Sequence, residues 1–161
     1  MVLRTRTGTR PVSRSTERRT MPTHDHEHRT TIREIAHQEC LELLTTTTVG
    51  RVAFVGPDGV ELVPVNFALI GGVVYFRTLP DGFLAQLARR TRVAFGVDHH
   101  DDTYRDGWNV TVKGTASQVE DRATINLVLG HGRLRPWAGG VRPMVVRVEI
   151  DSIAGRRVSG H

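Results

Sequence analysis

The sequence predicts a mainly β domain: an antiparallel, six-stranded, closed or nearly closed barrel carrying small peripheral helices. Three observations lead to this class. Apolar, β-branched runs after Gly50 are separated by Gly56-Pro57-Asp58-Gly59 and by Gly71-Gly72, which is hairpin chemistry. Trp108–Ser117 alternates, with Trp108, Val110 and Val112 on one face and Asn109, Thr111 and Lys113 on the other, the period of a half-buried strand. Val145, Val146 and Val148 give the last apolar segment high β propensity.

The elements follow in order. Thr31-Ile32-Arg33-Glu34 has capping-box spacing, and Ile32, Ile35, Ala36, Leu43 and Leu44 share one helical face, so a helix is expected from Thr31 to the threonine run Thr45–Thr48. Strands are expected over Arg51–Val55, Val60–Ile70 and Val73–Thr78. Pro64 lies within the second of these. It cannot donate to a ladder, so that stretch is an edge, a bulge or a place where something approaches the backbone. Leu84–Ala88 reads as a short helix, Arg92–Val97 as the fourth strand and Asp98–Asp106 as a polar loop. Trp108–Ser117 is the fifth strand, Asp121–Leu129 a helix capped by Asp121, and Gly130–Arg142 a Gly/Pro-rich loop. Met144–Ile150 is the sixth strand, and Ile153–Val158 could add a short last one.

Composition bounds the function. A chain of 161 residues makes one domain with a sizeable core. Residues 1–29 hold few apolar side chains and are expected to be a disordered basic tail ahead of a folded domain over 30–161, with Met21 an alternative start. Residues 1–30 carry seven Arg against Glu17, Asp25 and Glu27, whereas the remainder balances 15 Lys and Arg against 14 Asp and Glu. The sequence pI of about 10.5 is therefore a property of the tail, and the domain offers no charge reason to bind nucleic acid. No apolar run approaches the ~18 residues that span a bilayer. Cys40 is the only cysteine, which excludes an intrachain disulfide and a multi-cysteine metal site and makes the cytoplasm the default location.

No phosphate loop, triad or dinucleotide fingerprint is present. The informative feature is an ordered series of phrases. It runs Gly50-Arg51-Val52-Ala53-Phe54, Val63-Pro64-Val65-Asn66-Phe67, Tyr75-Phe76-Arg77-Thr78 and Val93-Ala94-Phe95-Gly96-Val97-Asp98. Gly107-Trp108-Asn109-Val110-Thr111-Val112-Lys113-Gly114 and Pro136-Trp137 complete it. Over residues 35–158 this series resembles the pyridoxamine 5′-phosphate oxidase-like family of split-barrel flavoproteins, especially its compact actinobacterial branch. The resemblance implies a homodimer with flavin mononucleotide (FMN), or alternatively a deazaflavin coenzyme, in a cleft between subunits. The activity it implies is hydride transfer between the flavin and a small-molecule substrate or electron donor. The alternative is a carrier or sensor that binds a flavin without turnover.

The same resemblance assigns residues. Arg77 and Thr78 would hold the flavin phosphate; a guanidinium fork beside a hydroxyl suits phosphate oxygens. Pro64, Val65, Asn66 and Phe67 would run along the isoalloxazine ring. Trp108 and Asn109 would reach the ring from the second subunit. Trp137, in its Gly/Pro-rich loop, is less easily explained as core and is a candidate to cap either the flavin or the substrate pocket. The chain departs from the family at two positions. Phe83 stands where the family often has a phosphate-binding lysine, a contact worth about 1.5–3 kcal/mol. Gly96 stands where the branch usually has an acid. Both keep the deazaflavin and non-catalytic alternatives open.

Other clusters have plainer readings. His24, His26 and His28 alternate in the tail, and Asp98-His99-His100-Asp101-Asp102 resembles a metal set but reads better as a solvated turn. Cys40 reads as a buried, inert thiol. Arg89-Arg90-Thr91-Arg92 fits a helix C-terminus, with a phosphate contact as its other use.

Overall fold

The computed structural model describes residues 31–135, 137 and 139–160. The tail expected over 1–29, the alternative start at Met21 and the three tail histidines lie outside the described residues. The chain runs through β1 (Thr31–Ile35), α1 (His37–Leu44), β2 (Val49–Gly56), β3 (Gly59–Ile70) and β4 (Val73–Thr78). A 3-10 helix (Phe83–Ala88), β5 (Thr91–Asp101), β6 (Asp106–Gln118), α2 (Arg122–Gly130) and β7 (Met144–Ser159) follow. All strand pairings are antiparallel. The strands close in the order β7-β4-β3-β2-β5-β6 and back to β7, with β1 alongside β7, so the expected split-barrel class holds with a seventh strand added.

That seventh strand replaces the first turn of the expected helix. Thr31–Ile35 pairs with Gly155–Ser159 at the far end of the chain, and Ile32, assigned to the buried helical face, is 70% exposed. The helix starts only at His37; its N-cap is Ala36, which has no side chain to cap with. Pairing with β7 satisfies the backbone groups on one side of this segment and suits β-branched Thr31, Ile32 and Ile35, whereas one isolated helical turn would leave its first N–H groups unpaired. Glu39 on α1 then accepts from Arg33 at 3.2 Å and from Arg157 at 2.8 Å, tying the strand pair to the helix.

The expected polar loop Asp98–Asp106 is mostly hairpin. β5 runs to Asp101 and β6 starts at Asp106, with Asp101 Oδ1 accepting from the N–H groups of Thr103 and Tyr104 in the turn. The two segments expected after Pro143 form one strand. A bulge makes this possible: Lys113 pairs with Ser152 and Gly114 with Ile150, leaving Asp151 as the extra residue.

Val52, Phe67, Phe76, Phe95, Val110, Val112, Val146 and Val148 fill the barrel, and Phe67 meets Phe95 edge-on at 4.8 Å. Cys40 and Leu44 of α1 and Leu84 and Leu87 of the 3-10 helix pack on this core. A second cluster, Ala68, Tyr75, Val119, Val128, Leu134 and Val145, seats α2 on the outer face of the sheet. As expected, Asp121 caps α2 by accepting from Thr124 N–H at 2.7 Å.

Candidate functional site

The barrel is incompletely zipped. β3 pairs with β2 from Gly59 to Asn66 but with β4 only from Phe67 to Ile70. Below Phe67 the two strands part, and a cleft of 320 Å³ opens there. It is lined by Val63, Pro64, Val65 and Asn66 of β3, by Arg77, Thr78 and Leu79, by Gly82, Phe83 and Leu84, and by Arg142 ahead of β7.

The strand edge facing this cleft is chemically defined. Phe67 N–H donates to the Thr48 carbonyl at 3.0 Å, toward the β2 side. Lateral direction alternates along a strand, so the backbone groups of Pro64 and Asn66 point the other way, into the cleft. Pro64 has no N–H to leave unpaired there, which explains a proline within a long strand. The Pro64 carbonyl and the Asn66 N–H offer one acceptor and one donor along the floor.

The end of β4 supplies the polar part. Thr78 is buried, and Arg77, half-buried, donates through Nε to the Arg142 carbonyl at 2.9 Å. That bond fixes the plane of the guanidinium. Among the described residues neither terminal nitrogen of Arg77 has a partner, so its fork is available to a ligand. A Cβ at Gly82 would stand 3.2 Å from Leu79 Cβ and 3.3 Å from the Leu79 carbonyl oxygen, so glycine suits the close turn that follows β4. No carboxylate lines the cleft, whereas two arginines do. Phe83, half-exposed, leans on Phe54 with ring centroids 5.7 Å apart and walls the cleft with an apolar face.

The residues singled out from sequence divide accordingly. Pro64, Val65, Asn66, Arg77 and Thr78 come together in the cleft. Phe67 does not line it: its ring is wholly buried in the barrel core. Trp137 N–H donates to Asn66 Oδ1 at 2.9 Å, tying its loop to the cleft rim while the residue remains 79% exposed. Trp108 and Asn109 lie on β6, outside this cleft. Trp108 stacks with His99, its cross-strand partner, at 6.1 Å, and Asn109 borders a separate depression with Glu34, Thr111 and Arg156. Sequence reasoning missed Arg142. The available signal was its place two residues before Met144, the partner of Thr78, but that pairing is not legible locally.

A model of the pyridoxamine 5′-phosphate oxidase family matches residues 36–157. The chain belongs to this family. Among solved structures of similar fold is the FAD binding protein from Mycobacterium smegmatis, 31% identical at a TM-score of 0.69, with 79% of this chain and 98% of that one covered. A conserved protein of unknown function from Corynebacterium diphtheriae is 30% identical at a TM-score of 0.65, covering 78% and 96% of the two chains. An uncharacterized protein of Mycobacterium tuberculosis is 28% identical over 130 residues, 78% of this chain and 84% of that protein. Among the described residues no helix is long and apolar enough to cross a membrane.

Proposed function

We propose that this member of the pyridoxamine 5′-phosphate oxidase family is a flavin-binding oxidoreductase, acting as a homodimer on a small-molecule substrate or electron donor. The observation that carries the reading is the cleft between β3 and β4. One end offers arginine and a buried threonine to a phosphate, and the other an unpaired strand edge and apolar walls to a flat ring. The residues fit FMN in kind, with Arg77 and Thr78 at the phosphate and Pro64, Val65 and Asn66 along the ring. The chemistry such a cofactor supplies is hydride or electron transfer at its ring. The protein's share is to hold the phosphate, orient the ring and exclude water.

The homodimer is supported by what this cleft lacks. Trp108 and Asn109, assigned to the ring by family resemblance, lie on β6; Trp108 packs partly on this chain's own core, and the exposed Asn109 could serve only a second copy's cleft. The outer faces of β2 and β3 also expose Val55, Val60 and Leu62, an apolar patch suited to a two-fold interface. Light scattering should give twice the chain mass; a stable monomer with bound flavin would remove this part of the proposal.

FAD is the second reading, and one observation favours it. A groove of 740 Å³, lined by Pro80, Ala85, Gln86, Ala88, Arg89, Gln118, Pro143 and Met144, adjoins the cleft where Leu79 meets Pro80 and Arg142 meets Pro143. The Mycobacterium smegmatis protein of similar fold is described as FAD binding. The absorption spectrum of the purified protein, followed by titration with FMN, FAD, riboflavin and a deazaflavin coenzyme, tests the cofactor. Arg77→Ala should weaken FMN strongly and riboflavin little, because riboflavin has the ring without the phosphate. Equal losses for both would mean that Arg77 serves the fold or the ring. Steady-state oxidation of a reduced nicotinamide or deazaflavin coenzyme separates an enzyme from a carrier; flavin binding without turnover would leave the carrier reading.

A further inference from the structure

We infer that Arg142 is a ligand-binding residue of this cleft, supplying the second positive charge that holds a phosphate ester. The inference rests on the flavin reading for the identity of the ligand. Arg142 lines the same cleft as Arg77, half-buried, and among the described residues no carboxylate pairs with it. Arginine side chains that reach one cleft without a carboxylate repel each other when the cleft holds only water, and Arg77 and Arg142 both line this one. An anion with several oxygens converts that repulsion into attraction, and a phosphate dianion can accept from two forks at once.

The register explains how Arg142 arrives there. Thr78 pairs with Met144 at the last rung between β4 and β7, so the residues just before Met144 run beside those just after Thr78. The Arg142 carbonyl holds Arg77 Nε, so one residue both orients the first cation and presents the second. Phe83 lines the same cleft and brings no charge. The positive charge of the cleft therefore comes from Arg77 and Arg142, on two separate segments of chain.

The substitution Arg142→Ala isolates the side chain, because the carbonyl that orients Arg77 remains. Calorimetric titration of wild type, Arg142→Ala and Arg142→Lys with FMN and with riboflavin is the direct test. Loss of one charge-assisted contact should weaken FMN by about 10- to 150-fold. Riboflavin should change less than about threefold, and Arg142→Lys should fall between wild type and alanine because it keeps the charge without the fork. Adding Phe83→Lys to Arg142→Ala should recover most of the lost FMN affinity, since it returns a cation to the same cleft. Unchanged FMN affinity in Arg142→Ala, beside a large loss in Arg77→Ala, would overturn the inference and leave the flavin reading standing. If no flavin binds wild type, that reading fails, and inorganic phosphate becomes the probe. Phosphate-dependent shifts of the Arg142 Nε–H resonance would then support the anion site, and an unmoved resonance would overturn it.

Discussion

Replacing Gly114 by alanine should open the barrel at its longest seam. Gly114 sits in β6 at the bulge opposite β7, where an added Cβ would lie 2.1 Å from the Glu149 carbonyl oxygen and 3.0 Å from Val148 Cγ1. Ordinary contact begins more than an ångström farther out, and the nearer obstacle is backbone, which cannot swing aside as a side chain does. Overpacking of this kind costs about 1–3 kcal/mol, and a backbone obstacle argues for the upper part of that range. For a chain of this size each kcal/mol lowers the melting temperature by about 2–4 °C, so a fall of roughly 5–12 °C is expected. Gly96→Ala is the matched control. Gly96 lies in the neighbouring strand β5, its backbone needs no positive φ, and a Cβ there would meet only the Val110 carbonyl oxygen at 3.8 Å. Alanine there should be neutral or stabilising by up to about 1 kcal/mol, because it reduces the freedom of the unfolded chain. Differential scanning calorimetry of both variants, with hydrogen exchange across the β6–β7 seam, measures the contrast. Equal melting temperatures for the two would refute the claim that Gly114 is required by close approach.

Three further outcomes follow from the same geometry. Burial pushes the Cys40 thiol above its ordinary range, and the side chain is fully enclosed, so an aromatic disulfide reagent should modify Cys40 only on the timescale of unfolding; rapid labelling of the native protein would contradict its place in the core. Hydrogen bonding to Thr124 holds the Asp121 carboxyl below its usual value, so its contribution is present above the unfolded carboxyl pKa and is lost as pH falls through the lower folded pKa. Asp121→Asn keeps an acceptor at the cap while removing that titration, and should make stability less steep on the acid side, read as melting temperature against pH. Asn66→Ala removes the acceptor of the Trp137 N–H, which should speed exchange of that amide and shift tryptophan emission while lowering global stability by only about 0.5–1.5 kcal/mol.

The candidate site was legible in sequence where it follows the strand order. Pro64, Val65 and Asn66 belong to one phrase and Arg77 with Thr78 to another, and the hairpin turn at Gly71-Gly72 makes their strands neighbours. Phe67 closes the first phrase, but alternation sends its ring inward, to Phe95. Trp108 alternates with Val110 and Val112, as expected, and that same alternation packs it against this chain's own core. Its assignment to a ring across a subunit boundary came from resemblance to the family.

The sequence by itself determined the elements whose causes are local. Gly59, Gly71 and Gly72 adopt the positive φ that the β2–β3 and β3–β4 hairpin turns require. Asp121 satisfies a helix N-terminus three residues away, and apolar alternation states which face of β6 is buried. Such causes act within a few residues and depend on dihedral preference and period alone. The tertiary structure decided what depends on a distant partner. Thr31–Ile35 carries capping-box spacing but becomes a strand because Gly155–Ser159 lies beside it. Gly114 marks a bulge only because β7 passes within 2.1 Å of where its Cβ would be. Arg142 faces Arg77 across 65 residues because Thr78 pairs with Met144. Backbone hydrogen bonds between strands and charges converging on a cleft are interactions of position, and position is set only when the barrel closes.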